Sequence, residues 1–218
     1  MPDEKVENPV VEAFVLGPFQ TNCYLVRTGR GLGCWFVDAG FEPGEMVERA
    51  RELGLRPRAI VLTHAHVDHI AGIGEVLAAF PGTPVLIHEA EAAWLGDPEL
   101  NLSAFGGFPV SAPGPTGTFK DGDELELEGS RWRVIHTPGH SPGGVTLYHE
   151  ASGTALVGDA LFAGSIGRTD FPGCSFEELA RSIRTRLYTL PEGTKIYPGH
   201  GPASTIGREK RSNPFVRP

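Results

Sequence analysis

Three histidines and one aspartate stand within six consecutive residues of this chain, at a spacing that suits metal binding. Segment 64–69 reads His-Ala-His-Val-Asp-His and follows the apolar run at 59–62. Imidazole nitrogen and carboxylate oxygen are ligands for Zn²⁺, Fe²⁺ or Mn²⁺, and crowding them together is costly unless a cation neutralises them. A polar loop facing solvent is the alternative, but such loops are usually built from Gly, Pro, Asn, Asp and Ser. The segment therefore predicts a metal site.

The spacing within this segment indicates two ions. His64 and His66 stand at i and i+2, so they point the same way if the preceding strand stays extended into the loop. Asp68 and His69 are adjacent and begin to turn into a predicted helix. One pair can serve one ion and the other pair a second.

Later segments supply further ligands at the ends of predicted strands. His140, Asp159 and His200 each follow an apolar run and each has Gly or Pro beside it. Such residues let the backbone turn sharply and aim a side chain into a shared cleft. Each of the three alone is typical of a turn. Together with segment 64–69 they predict a dinuclear metal site.

The order of these motifs resembles the metallo-β-lactamase superfamily. The chain carries His-x-His-x-Asp-His, then Pro-Gly-His, Gly-Asp and a second Pro-Gly-His, and the likeness extends from Phe14 to Phe215. Within the superfamily it most resembles the hydroxyacylglutathione hydrolase (glyoxalase II) group and its shorter relatives. Segment 158–162, Gly-Asp-Ala-Leu-Phe, is similar to the Gly-Asp-Thr-Leu-Phe of that group, and segment 20–24, Gln-Thr-Asn-Cys-Tyr, is similar to family sequences.

The resemblance implies how the ligands are shared between two divalent ions, which can be Zn, Fe or Mn. The first ion would be held by His64, His66 and His140, and the second by Asp68, His69 and His200. Asp159 would bridge the two ions together with a water or hydroxide. Positions left open for water and substrate make such a site catalytic in form. Asp68 and Asp159 are thus the candidate catalytic residues.

The function implied is hydrolysis of a small thioester, of the hydroxyacylglutathione type, by a metal-bound hydroxide. A thiolate leaves readily and needs no acid to protonate it. No Ser nucleophile is required, and segment 164–167, Gly-Ser-Ile-Gly, lacks the Gly-x-Ser-x-Gly spacing of a nucleophile elbow. Glyoxalase II enzymes typically carry a carboxy-terminal helical region that supplies much of the glutathione site, whereas this sequence stops soon after His200. The resemblance therefore implies thioester hydrolysis more strongly than glutathione specificity.

Two alternative functions stay open. The loop at 167–171 is similar to that of persulfide dioxygenases, which bind a single Fe²⁺ through two His and one Asp; here His64, His140 and Asp159 would serve. A non-catalytic, metal-stabilised binding module is the third hypothesis. A structural site of that kind would close its coordination with protein ligands.

Two further residues have predicted roles beside the ligands. Asp38 ends a strand and is placed to accept a hydrogen bond from a ligand histidine, which would fix the tautomer of that ring. An ordinary turn aspartate is the alternative. Arg168 is a candidate for binding a substrate carboxylate through its planar fork, with a surface ion pair to Asp170 as the alternative.

Composition narrows the partners and the compartment. The chain has 218 residues and a formal net charge of −8, and its one basic run is the short segment Arg208-Glu209-Lys210-Arg211. This negative charge and the lack of a longer basic run disfavour a nucleic-acid partner. No apolar run reaches the roughly 18 to 20 residues that cross a bilayer. The polar amino terminus lacks the pattern of a secretory signal. We expect a cytoplasmic enzyme that binds a small-molecule thioester and neither nucleic acid nor membrane.

The three cysteines form no disulfide framework, because their number is odd and they lie far apart. Cys23 and Cys34 fall in strand-like runs and are interpreted as small buried hydrophobic residues. Cys174 lies in a Gly-rich loop, and its role is left open.

The element pattern predicts a single domain, 1–218, made of two similar halves at about 1–115 and 116–218. Mixed strands and helices in both halves suggest two packed sheets with helices outside, and the resemblance makes this the four-layer αββα sandwich of two mixed β-sheets. The Gly- and Pro-rich segment 105–117 is expected to be irregular, as a junction or a cover over the site. Strands are predicted near 10–16, 22–27, 33–38, 58–62, 84–87, 124–128, 131–136, 144–149, 154–158 and 194–197, and helices near 44–54, 70–80, 89–95 and 175–188.

Overall fold

Two six-stranded mixed sheets form the centre of the computed structural model, which describes residues 8–218. The first sheet contains the strands in chain order, with antiparallel pairing up to the third strand and parallel pairing beyond it. Its strands are β1 (Val10–Leu16), β2 (Thr21–Arg27), β3 (Gly33–Val37), β4 (Arg56–Val61), β5 (Val85–His88) and β6 (Gly117–Phe119).

The second sheet lies in the carboxy-terminal part of the chain. Its strands are β7 (Glu124–Leu127), β8 (Ser130–His136), β9 (Val145–His149), β10 (Thr154–Gly158), β13 (Lys195–Pro198) and β14 (Ser204–Thr205), and a separate hairpin consists of β11 (Leu161–Phe162) and β12 (Ser165–Ile166). The sheet order is β14-β13-β10-β9-β8-β7, in which β10 and β13 pair in parallel. That the two halves of the chain are similar to each other stays a prediction.

Helices cover the outer face of each sheet. They are α1 (Gly44–Glu52), α2 (Val67–Ile70), α3 (Ile73–Ala79), α4 (Phe176–Ser182) and α5 (Ile206–Ser212), and a π-helical segment, Ile183–Leu187, continues α4. Ser175 caps α4, because its Oγ accepts a hydrogen bond from the backbone N–H of Glu178 at 3.2 Å. None of the helices within residues 8–218 has the length and apolar character needed to span a membrane.

Alternation along the strands explains the four layers. In β3, Cys34 and Phe36 pack into a core with α1 and α3, whereas Trp35 and Val37 face the second sheet. A central core joins the inner faces of both sheets, and Trp35 there lies 6.1 Å from Trp132, measured between ring centroids. A third core packs the second sheet against α4 and α5. Both faces of each sheet are thus buried, which confirms the predicted αββα sandwich.

Several predicted elements are corrected by the structure. The expected helix at 89–95 is wrong, since the chain forms two short 3₁₀ turns, Glu89–Glu91 and Trp94–Gly96. The helix expected near 70–80 is divided at Gly72, whose N–H donates to the carbonyl of Ala39 at 2.8 Å. That tertiary contact replaces a bond within the helix. Sequence patterns also missed α5 and the β11–β12 hairpin, which are too short to show a clear period.

Candidate metal centre

All seven predicted ligands meet where the strands of the two sheets end. His64 and His66 follow β4, and Asp68 and His69 lie on the short helix α2. From the second sheet, His140 follows β8, Asp159 follows β10, and His200 follows β13. Five separate elements therefore contribute to one cluster.

The donor atoms of this cluster fall into three overlapping groups, in each of which they lie within 4.8 Å of one another. The groups are His64, His66 and His140; His64, His69 and Asp159; and Asp68, His69 and His200. The first and third groups contain the same residues that the resemblance gives to the two ions. Assignment of each ligand to a particular ion stays a prediction.

Asp159 lies between the first and third groups. Its Oδ1 is 3.5 Å from Nε2 of His69, and its Oδ2 is 3.6 Å from Nε2 of His140 and 3.4 Å from Nε2 of His200. A Cβ at position 199 would lie 2.0 Å from Oδ1 of Asp159, so Gly199 leaves the space that this carboxylate occupies. One carboxylate is thereby shared between the two donor sets.

Unpaired buried atoms show that the cluster suits a cation. Nε2 of His64, Nε2 of His69 and Oδ1 of Asp159 are buried without a hydrogen-bond partner among the residues the structure describes. Buried polar atoms normally have partners, so such orphans need an explanation. Imidazole nitrogens and carboxylate oxygens that converge in this way fit a divalent transition metal ion.

Hydrogen bonds to the opposite ring nitrogens fix two of the histidines. His140 Nδ1 is 2.8 Å from the carbonyl oxygen of Arg168, which can only accept, so the proton lies on Nδ1. His69 Nδ1 is 2.8 Å from Oδ2 of Asp38 and donates in the same way. In the neutral form of both rings the lone pair then lies on Nε2, which faces the cluster as a metal ligand requires. Nε2 of His140 is 2.9 Å from Nδ1 of His66, whereas Nε2 of His69 has no hydrogen-bond partner among the described residues.

Burial keeps the first group of histidines neutral. Desolvation lowers the pKa of His64 well below its usual value, and it lowers that of His66 to about 3, with the neighbouring His140 adding to the effect. Burial also lowers the pKa of His140. Neutral imidazole is the ligating form, so this group needs to lose no proton before it binds an ion at pH 7.

The third group has the opposite electrostatic character. Burial opposes charge there, but His69 and then His200 lower the pKa of Asp68, while Asp68 raises that of His69. His69 likewise lowers the pKa of Asp159 against the effect of burial. The carboxylates are therefore ionised and attract positive charge, which protons or a metal ion can supply.

Two residues that sequence reasoning did not assign to the site contact it. Thr21 Oγ1 donates to Oδ2 of Asp68 at 2.8 Å. Glu91 is completely buried, and its two carboxylate oxygens accept backbone hydrogen bonds from Ala65 and Gly143, each at 2.6 Å. The sequence signal for Glu91 was weak, since it consisted of one acidic residue within the largely apolar stretch 90–95.

A cavity of about 470 Å³ opens over the cluster. This volume falls within the range of roughly 300 to 1,000 Å³ that is typical of small-molecule sites. His66, Asp68, His140, Asp159 and His200 are exposed to it, and aromatic rings form much of its wall. The rings are those of Phe19, Phe105, Phe108, Phe162 and Phe171.

Arg168 also lines this cavity. Its guanidinium donates to both carboxylate oxygens of Asp170, at 2.9 and 2.8 Å, and lies 4.2 Å from the ring centroid of Phe171. Both readings of Arg168 are thus compatible with its position, because a side chain paired with Asp170 still borders the cleft. Its role in substrate binding stays a prediction.

Fold and donor set together define a protein of the metal-binding αββα class. The sequence matches the family model of the metallo-beta-lactamase superfamily over residues 16–200. The chain belongs to this superfamily, which confirms the resemblance seen in its motifs.

Curated relatives cover nearly the whole chain. A probable metallo-hydrolase of Streptococcus pyogenes is 42% identical over 183 residues, which are 82% of this chain and 79% of the relative. The hydroxyacylglutathione hydrolase GloC of Haemophilus influenzae is 35% identical over 208 residues, covering 94% of this chain and 97% of the relative.

Solved structures have the same architecture. The BLEG-1 B3 metallo-beta-lactamase superposes with a TM-score of 0.90 at 37% identity, covering 95% of this chain and 99% of that one. TTHA1623, in a di-iron-bound form, superposes with a TM-score of 0.83 at 39% identity, covering 94% of this chain and 100% of that one. ETHE1 from Myxococcus xanthus superposes with a TM-score of 0.75 at 25% identity, covering 94% of this chain and 83% of that one.

Proposed function

We propose that this protein is a metal-dependent hydrolase that cleaves small thioesters of the hydroxyacylglutathione type at a dinuclear site. One observation carries the proposal: the carboxylate of Asp159 lies between two sets of three donors, on the floor of an open cavity. A structural metal site would close its coordination with protein ligands and leave no such opening. The cavity therefore favours catalysis over a metal-stabilised binding module.

The relatives support the reaction class. One is named a probable metallo-hydrolase, and another is a hydroxyacylglutathione hydrolase at 35% identity over almost the full length of both chains. The di-iron form of TTHA1623 supports two ions per chain, with Zn, Fe and Mn as the candidates.

In this mechanism the seven side chains would hold two ions, which would lower the pKa of water and polarise a carbonyl oxygen. The chain's own residues orient the reactants. Asp159 keeps an ionised carboxylate beside the cleft, where it accepts a hydrogen bond from the attacking water and sets its direction. Asp68 stays ionised as well, and the hydrogen bond from Thr21 fixes its position.

The remaining groups act on the substrate. The aromatic wall binds the apolar parts of the thioester and excludes water from the rest of the cleft. Arg168, at the edge of the cavity, binds a carboxylate of the substrate through its planar fork. The thiolate leaves without a proton donor, so the site requires no general acid.

A mononuclear iron persulfide dioxygenase is the rival proposal. His64, His140 and Asp159 would bind its iron, and the structural likeness to ETHE1 at 25% identity is compatible with it. The third donor group, Asp68, His69 and His200, has no function in that reading. Its presence favours the dinuclear hydrolase.

We further propose that the enzyme acts in the cytoplasm on a small molecule and binds neither nucleic acid nor membrane. The formal net charge of −8 supports the absence of a nucleic-acid partner, because it would repel the phosphates of a polyanion.

Elemental analysis coupled to two assays tests the proposal. Purified protein should contain about two transition-metal ions per chain and release thiol from S-lactoylglutathione, and activity should disappear on chelation and return when metal is added. One iron per chain, together with oxygen uptake on glutathione persulfide and no thioester cleavage, would establish the rival reaction. Cleavage of other thioesters but not of S-lactoylglutathione would change the substrate and keep the mechanism.

A further inference from the structure

Glu91 is a completely buried carboxylate that joins two loops from different sheets. It lies in the 3₁₀ turn Glu89–Glu91, directly after β5. Its Oε2 accepts the backbone N–H of Ala65 and its Oε1 accepts that of Gly143, both at 2.6 Å. A buried carboxylate is costly to desolvate unless such hydrogen bonds compensate, and bonds to a charged acceptor are short and strong.

The two donors belong to the loops that carry the first group of ligands. Ala65 stands between His64 and His66, and Gly143 lies three residues after His140. The first loop leaves β4 of one sheet, and the second leaves β8 of the other. A single carboxylate therefore connects the backbones that must be aligned for these three imidazoles to meet.

The contact depends on a glycine at position 143. A Cβ there would lie 2.9 Å from Cγ and 3.0 Å from Cδ of Glu91, closer than such atoms normally approach. Side chain and loop are thus in direct contact with no space between them, and even a methyl group at 143 would displace the carboxylate.

The third group of donors has a carboxylate of its own. Asp38 Oδ2 binds Nδ1 of His69 at 2.8 Å and lies on the first sheet's side of the cluster, after β3. Glu91 contacts only the two loops of the first donor group. Asp38 contacts the His69 ring and also accepts hydrogen bonds from the N–H and Oγ1 of Thr63, which precedes His64.

We propose that Glu91 is a positioning residue for the ion bound by His64, His66 and His140. It holds the two loops at the separation that these ligands require. This inference rests on the dinuclear centre proposed above. It gives a specific expectation, since loss of the Glu91 carboxylate should weaken the first ion more than the second.

Zn²⁺ binding to metal-free protein tests the proposal, by competition with a chromophoric chelator. His66→Ala and His200→Ala first assign the two binding steps to the two ions. Glu91→Gln, which has the same shape but places a donor against a backbone N–H, should weaken the His66-dependent step about 10- to 100-fold and the His200-dependent step far less. Asp38→Asn should weaken the His200-dependent step more, because Asn keeps an oxygen for the N–H of Thr63 but loses the acceptor of His69. Glu89→Gln, exposed on the same turn, is the matched control and should bind like the parent.

Equal weakening of both steps in Glu91→Gln, or none, would overturn the proposal. If this variant does not fold, as judged by circular dichroism, Gly143→Ala replaces it, because its added methyl group displaces Glu91 and should weaken the same step. Gly74→Ala is its control, since a Cβ there meets no described atom within 4 Å. A parent protein that binds fewer than two ions would refute the dinuclear centre itself. A parent with two ions and an unaffected Glu91→Gln variant would refute only the role of Glu91.

Discussion

Oδ2 of Asp38 and Nδ1 of His69 lie 2.8 Å apart in the interior of the protein, where both side chains are at most 1% exposed. The same carboxylate accepts hydrogen bonds from the backbone N–H of Thr63 at 2.7 Å and from its Oγ1 at 2.8 Å. Asp38 thus connects the residue that precedes the first ligand to a ligand of the other donor group. It does so from a left-handed backbone conformation, with φ at +62°.

Two variants can separate the effect of the Asp38 charge on activity from the contribution of this residue to stability. Asn tolerates positive φ, so Asp38→Asn should keep the fold and lose about 10- to 100-fold in hydrolytic activity because His69 loses a charged acceptor. Asp38→Ala should lose at least as much and should also be destabilised by a further ~1 to 2 kcal/mol or more, since Ala is strained at positive φ and gives the N–H of Thr63 no acceptor. Thermal unfolding of the metal-free proteins measures the difference. Equal stability of the two variants would contradict this account.

Gly199 should be required for activity although it has no side chain. A Cβ at this position would lie 2.0 Å from Oδ1 of Asp159 and 2.7 Å from Cε1 of His69. Gly199→Ala should therefore displace the shared carboxylate and reduce hydrolysis on the order of 100-fold, as expected when a reacting geometry shifts by about 1 Å. Metal content and turnover are the measurements. Gly193→Ala is the control, because its Cβ would meet no described atom within 4 Å, and a comparable loss in that variant would contradict the explanation.

Arg168 offers a test of substrate recognition. If its guanidinium binds a substrate carboxylate, Arg168→Met should raise the KM for S-lactoylglutathione about fivefold and leave the KM for an uncharged thioester unchanged. The effect is modest because the side chain is 66% exposed, and an exposed ion pair contributes at most about 1 kcal/mol. Arg51→Met, on helix α1, serves as the charge-matched control. Unchanged KM values for both substrates would contradict a role in substrate binding and would favour the alternative, a surface ion pair with Asp170.

Thiol labelling should distinguish the three cysteines. Cys23 and Cys34 are buried, and burial raises the pKa of each thiol to about 12. Cys174 is half-buried, which raises the pKa of its thiol as well but to a smaller extent, and its Sγ donates to the carbonyl of His140 at 2.7 Å. At pH 8 a thiol reagent should label about one group per native chain, and three after denaturation, because only thiolates react. Cys174→Ser should abolish the native label; rapid labelling of a second thiol in the native parent would disagree with the burial.

Much of the metal centre was predictable because ligand chemistry is restrictive. Few residue types bind transition metals, and a run such as His-Ala-His-Val-Asp-His has little use without one. The two packed sheets were likewise predicted, from the mixture of strands and helices in both halves and from the family resemblance. The apolar residues on both faces of β3 give the physical reason, since such a strand must be covered on both sides. Short elements such as α5 and the β11–β12 hairpin escaped prediction, because tertiary contacts and not local periodicity define them.

The sequence by itself determined which side chains can hold ions and that layers must cover both faces of each sheet, because both properties follow from residue type and local spacing. Only the tertiary structure decided that Glu91 joins the loops of Ala65 and Gly143 and that Thr21 binds Asp68. These partners are separated by 26 to 52 residues along the chain. Their contacts depend on how the two sheets pack, and no local sequence pattern shows that residues so far apart along the chain lie in contact.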